Sequence, residues 1–249
     1  MENSLLNNYL LDLLDSLEQN LCGFTADQNP ESLHRLRLDI KKIKAVFSFA
    51  EYIYKEKYDV TKVKQLFNEA GKIREMQINI QQLSQVPNPP KTLVNQLNKE
   101  EKKLAQQFIK GASQYIRLIQ DFKTKIRFPE KALSKKRTIK YFKKKKKKTN
   151  KSLQNIDKGG LHEYRKKIKK LIYVYNALPK KLQNKIDLNE AAIHKQQKKL
   201  GEWHDTYSAI EFLSNKHLPK NTSEYISTLK EKENRQFKDL RKNLKNKQK

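Results

Sequence analysis

A chain of 249 residues with 55 Lys and Arg against 27 Asp and Glu carries a formal charge of +28, and the self-repulsion of so basic a compact state is relieved by a bound polyanion. Cys22 is the single cysteine, which excludes an intrachain disulfide. The acid-interrupted N-terminus does not read as a signal peptide, and no run approaches the roughly 20 apolar residues of a membrane span.

Only 6 Gly and 7 Pro punctuate a sequence rich in Leu, Lys, Gln, Glu and Ile, and no sustained alternation asks for a strand, so the expected class is all-α. In chain order, residues 1–22 read as an amphipathic helix with Leu6, Leu10, Leu13, Leu14, Leu17 and Leu21 on one side, closed by a C-cap at Gly23. A second helix starts near Pro30, which suits a first turn, and runs to about Tyr54. A third follows Asp59 as far as Ser84, stopped by the prolines between Val86 and Pro90. A fourth spans 91–127 and ends at Phe128-Pro129. The pattern then starts again with a lysine-rich helix near 130–156, another at 161–178, a third at 185–214, and a last one after Pro219. Four helices followed by four more predict two four-helix bundles related by an internal pseudo-twofold, with repeat halves 1–128 and 129–249.

One phrase is written twice. Leu33-His-Arg-Leu-Arg-Leu-Asp-Ile-Lys-Lys-Ile-Lys44 returns as Leu161-His-Glu-Tyr-Arg-Lys-Lys-Ile-Lys-Lys-Leu-Ile172, 128 residues later. Arg37 and Arg165 stand at +3 from their histidines, and Lys41 and Lys169 at +7. The apolar positions coincide as well: Leu33, Leu36, Ile40, Ile43 and Phe47 match Leu161, Tyr164, Ile168, Leu171 and Tyr175. On a helix turning about 100° per residue, the apolar set forms a core seam, and His34, Arg37, Lys41 and Lys44 form a stripe beside it. Cations flanking a core line the grooves between packed helices, where one anion meets several of them.

A shorter signal also repeats, 130 residues apart. Gly71-Lys-Ile-Arg-Glu75 matches Gly201-Glu-Trp-His-Asp205, with a basic residue at +3 and a carboxylate at +4. Glycine inside a helix costs about 1 kcal/mol relative to alanine, so close helix approach is the reason to expect for it. Glu75 and Asp205 are read either as acceptors that orient the phrase cations or as members of ordinary surface ion pairs; both readings are open.

These two doubled signals resemble the CHAD domain (conserved histidine α-helical domain) over essentially the whole chain. The resemblance implies an all-α fold of two symmetric four-helix bundles with a basic central surface or pore, binding of inorganic polyphosphate, and no catalysis by the module. Residue by residue it implies a site at His34, Arg37, Lys41, Lys44 and Arg74 from the first copy. From the second copy it implies His162, Arg165 and Lys169, with Lys166 taken beside them. Where the first copy carries Lys44, the second carries Ile172, so the second half is expected to grip less strongly.

Lys143 to Lys148 are six lysines in a row. Ile139, Phe142, Leu153 and Ile156 flank them at helical spacing, which predicts a helix displaying Lys140, Lys143, Lys144, Lys147 and Lys151 on one face, with Lys146 on the apolar side. The basic residues are mostly lysine, with 9 arginines, which suits a flexible repeating anion better than bidentate reading of base edges. There are five histidines, His34, His162, His194, His204 and His217, and His194 and His204 lack partners at metal-ligand spacing. Neither a Walker loop nor paired carboxylates appear near the basic phrases, and the expectation is therefore a non-enzyme without cofactor or metal. The expected function is capture of polyphosphate by a soluble, cytoplasmic protein, in the setting of polyphosphate granules. The alternative is sequence-tolerant nucleic-acid binding, which a +28 chain shows at low salt whatever its purpose.

Overall fold

A computed structural model describes residues 5–86, 88–89, 91–154, 156–214 and 223–245. The expectations placed on Pro87, Pro90, His217 and Pro219 lie outside the described residues. Among those described, ten helices and no strand are present. They are α1 (Leu5–Asp27), α2 (Pro30–Tyr54), α3 (Lys62–Ser84), α4 (Lys91–Lys110), α5 (Ala112–Lys125), α6 (Lys135–Lys151), α7 (Lys158–Asn176), α8 (Lys180–Gln183), α9 (Glu190–Ser214) and α10 (Ser223–Lys245). No helix among these residues is long and apolar enough to cross a membrane.

The six leucines named for α1 are all buried, together with Phe24. The expected cap at Gly23 is not one: α1 runs on to Asp27, and Gln28, at φ 54, takes the left-handed position. Gly23 serves packing instead, since a Cβ there would come within 3.2 Å of Ser32 Oγ on α2. Asn29 caps α2 by accepting the Glu31 N–H at 2.9 Å, with Pro30 in the first turn. The expected fourth helix is broken at Gly111, which separates α4 from α5. The lysine helix begins five residues later than expected, where the Ser134 hydroxyl meets the Arg137 N–H at 3.4 Å. The helix expected over 185–214 starts five residues later, as α9 at Glu190, and the short α8 precedes it. At the end of α8, the buried Gln183 amide donates to the Tyr175 and Leu178 carbonyls at 3.0 and 2.9 Å, satisfying carbonyls at and just past the end of α7.

The residues fall into two compact units, each drawing on early and late parts of the chain. The first comprises residues 1–74, 105–148 and 167–188. In it α1 packs on α2 and α5, and an aromatic cluster joins Phe47, Tyr58 and Phe128 with ring centroids 5.0–5.7 Å apart. Asn7 clamps the Phe128 backbone from both sides, donating at 3.1 Å and accepting at 2.7 Å. The buried Asp39 of α2 is satisfied by Ser16, Asn20 and Lys42. The second unit comprises residues 75–104, 149–166 and 189–249. There α9 packs on α10, around a core of Met76, Leu83, Leu93, Leu97, Leu213 and Leu229.

Candidate anion-binding site

Both copies of the apolar seam are buried, from Leu33 to Phe47 on α2 and from Leu161 to Tyr175 on α7. The cation stripe of α2 therefore lies beside packed core, as the spacing predicts. What it leans on is Phe67 of α3. The Arg37 guanidinium lies 4.3 Å from the Phe67 ring centre, and the Lys44 and Lys41 ammoniums lie 5.0 and 5.8 Å from it. Arg37 is further fixed by donating from Nη1 to the Phe67 carbonyl at 2.6 Å. One turn along α3 sits Gly71, and a methyl there would overlap the guanidinium. The glycine thus makes room for Arg37, a sharper reason than close helix approach in general.

His34, Arg37, Lys41, Lys44 and Arg74 all belong to the first unit. The His34 residue is accessible overall, yet its ring is partly withdrawn from water, which lowers its pKa; Arg74, Lys41 and Lys169 push it down further, against Glu31. Lys169, expected with the second phrase, thus acts on the first histidine, and it belongs to the first unit. An imidazole held neutral among fixed cations regains its proton when an anion cancels their field.

On α6 the expected lysines Lys140, Lys143, Lys144, Lys147 and Lys151 are all exposed. Lys146 is held by Asp187, whose carboxylate and carbonyl accept at 2.6 and 3.1 Å. The buried stripe of α6 is Thr138, Tyr141, Phe142 and Thr149, and Lys145 falls on it at helical spacing. Nothing in the sequence distinguishes Lys145 from the five other lysines of its run. Its ammonium lies 5.3 Å from the Tyr141 ring, which itself packs on Phe49 and Tyr52 of α2 at 5.0 and 5.2 Å. Burial, then Lys148 and Lys144, lower its pKa. Lys170 of α7 is lowered by burial, then by Lys145 and Lys44, against Glu51. Lysines from α2, α6 and α7 therefore share one field within the first unit, and Lys145 and Lys170 extend the site expected from sequence.

In the second unit the phrase supplies His162, Arg165 and Lys166. The His162 ring stacks on His204 of α9, with centroids 4.9 Å apart and planes at 19°. Its pKa is lowered by burial first, then by His204, Lys166 and Arg165, against Glu163. The Asp205 carboxylate lies 3.7 Å from His204 Nδ1, while Glu75 is exposed. Nearby, the buried Glu233 accepts from Trp203 Nε1 and Lys158 Nζ, both at 2.6 Å. Phe67 and His204 both escaped the sequence reading of the site, although Phe67 stands one turn before Gly71 and His204 stands at the +3 position of the glycine signal. Among the described residues, no group of three or more His, Cys, Asp or Glu is placed to hold a metal ion.

The model of the CHAD domain matches residues 8–214. The chain belongs to the CHAD domain family. A crystal structure of the CHAD domain from the plant Ricinus communis shares the fold at a TM-score of 0.70 and 16% identity, covering 97% of this chain and 91% of that one. No curated protein matches the chain. The all-α fold expected from the sequence is thus the CHAD fold.

Proposed function

We propose that this CHAD protein binds inorganic polyphosphate without catalysis. The observation that carries the reading is the array on Phe67, where Arg37, Lys41 and Lys44 converge on one ring beside His34 and Arg74. A ring under a guanidinium holds the cation in place through its quadrupole and brings no opposite charge of its own. A linear polyphosphate places a negative charge on every phosphoryl unit, matching several closely spaced cations at once. Lys145, Lys169 and Lys170 strengthen the field, and the exposed lysines of α6 add sequence-independent attraction. Arg165, Lys166 and His162 form the second contact set. Such binding suits a cytoplasmic protein acting where polyphosphate accumulates.

The test is competition between defined-length polyphosphate and duplex DNA or RNA at near-physiological salt. Preference for polyphosphate by orders of magnitude is expected, and parity would favour the nucleic-acid alternative. Replacing Arg37 and Arg165 by Glu should weaken polyphosphate binding on the order of 100-fold, because fixed, charge-assisted contacts are lost and reversed. Replacing the exposed Lys102 and Lys103 of α4 by Glu changes net charge equally and should cost less than about fivefold. Equal losses from both pairs would assign the binding to net charge alone.

A further inference from the structure

The face of α9 in the second unit carries Gln197, Gly201, His204 and Ser208, at successive spacings of four, three and four residues, which places them along one helical stripe. These positions answer to α3 of the first unit: relative to each glycine, Gln197 stands where Phe67 stands, and His204 where Arg74 stands. The contents of the two faces are opposite. Gly71 is filled by the Arg37 guanidinium, whereas a Cβ at Gly201 would meet nothing within 4 Å. Both ends of the Gln197 amide are buried and make no hydrogen bond among the described residues. Such an amide costs free energy until a ligand or water satisfies it. About two turns further along α9 on the same stripe, the His204 ring lies flat against His162.

We infer that Gln197, His204, His162 and Arg165 form a proton-gated oxyanion site, which takes a tetrahedral phosphoryl group when the stacked imidazoles are protonated and releases it when they are neutral. The inference rests on the anion-binding reading above and assigns its regulation to the second unit. Two parallel imidazolium rings repel, so the doubly charged pair is stable only with an anion between or beside them. The surrounding groups set the balance. From α7 come Arg165 and Lys166, which oppose protonation of His162, and Glu163, which favours it. From α9 come Asp205 and the Ser208 hydroxyl, 3.7 and 3.3 Å from His204 Nδ1. From α10 comes Glu233, whose carboxylate is already engaged by Trp203 and Lys158. Burial holds His162 below its ordinary value, and Lys166 is already paired with Glu163 at 2.7 Å, so Arg165 is the fixed cation the phrase offers to an anion there. The first unit differs because Arg74 stays charged at every physiological pH.

The experiment follows the imidazole C–H resonances of the full-length protein from pH 5 to 8 at fixed ionic strength. It is run without anion, with orthophosphate and with tripolyphosphate, and His162→Gln and His204→Gln provide the assignments. The His162 and His204 midpoints should rise by about one unit on anion addition, which is tenfold tighter binding per proton taken up. A response to orthophosphate marks a site for free phosphate, and a response to tripolyphosphate alone marks a subsite for the polymer; either supports the inference. His204→Arg should bind tripolyphosphate at pH 8 as tightly as the wild type does at pH 6. If His34 responds while His162 and His204 do not, the inference fails and the polyphosphate reading stands. If tripolyphosphate and long-chain polyphosphate bind at neither pH, both fail. The wild-type titration decides the matter even where the arginine variant does not fold.

Discussion

The two copies of the histidine phrase share a seam and a register, yet their surroundings differ in kind. In the first unit an arginine is clamped between a phenylalanine ring and a backbone carbonyl, over a glycine that makes room for it. In the second, the equivalent glycine faces open space, the phenylalanine is replaced by an amide without a hydrogen bond, and the arginine at +3 is replaced by a histidine stacked on another. The first arrangement is preorganised and permanently charged; the second is open and titratable. A duplicated sequence motif therefore does not imply duplicated chemistry, because the cations owe their properties to residues one turn away on a different helix.

The glycines offer the sharpest way to break this comparison. Gly71→Ala drives a methyl into the Arg37 guanidinium and should destabilise the fold by about 1–3 kcal/mol. Gly201→Ala enters open space within a helix and should stabilise by up to about 1 kcal/mol. Urea unfolding of the two variants measures both, and equal signs would remove the asymmetry. The platform residues come next. Phe67→Leu keeps apolar contact but removes the ring, and should weaken polyphosphate binding about 3- to 10-fold through loss of the cation–π contacts. Gln197→Leu removes an unsatisfied amide and should raise stability by about 1 kcal/mol while weakening anion binding at pH 6. Isothermal titration of the two variants at pH 6 and pH 8 separates these effects.

Proton linkage gives a smaller effect shared by both units. His34 and His162 are both held below their ordinary values in the folded state, so the unfolded chain binds more protons as pH falls through the histidine range. Stability should therefore be full above about pH 6.5 and decline as pH falls below it. Thermal unfolding at pH 5 and pH 8 reads this, and His34→Gln and His162→Gln should each flatten the dependence. A stability that rises on acidification would contradict the sign. The smallest effect belongs to the exposed pair of Lys146 and Asp187, where Lys146→Ala should leave the unfolding midpoint essentially unchanged. Lys145→Ala, one residue away on the buried stripe of α6, should cost more polyphosphate affinity than Lys146→Ala.

Much of this protein follows from sequence alone. Helical periodicity placed the buried seams of α1, α2 and α7, because a core face must recur every three or four residues whatever it packs against. Register placed His34, Arg37, Lys41 and Lys44 beside that seam, and the charge pointed to a polyanion. Helix ends were less legible: the extension of α1 through Gly23 depends on the approach of Ser32, and the start of α6 on a hydroxyl at Ser134. The identity of the inward lysine in a run of six was not legible at all, since only the packing of Tyr141 against α2 selects Lys145. Nor could one helix reveal Phe67 beneath Arg37 or His204 against His162, because these contacts join residues 30 and 42 positions apart on separate helices. Local periodicity determines which face of a helix is buried; only tertiary packing decides what a charged side chain beside that face will touch, and so whether its charge is permanent or conditional.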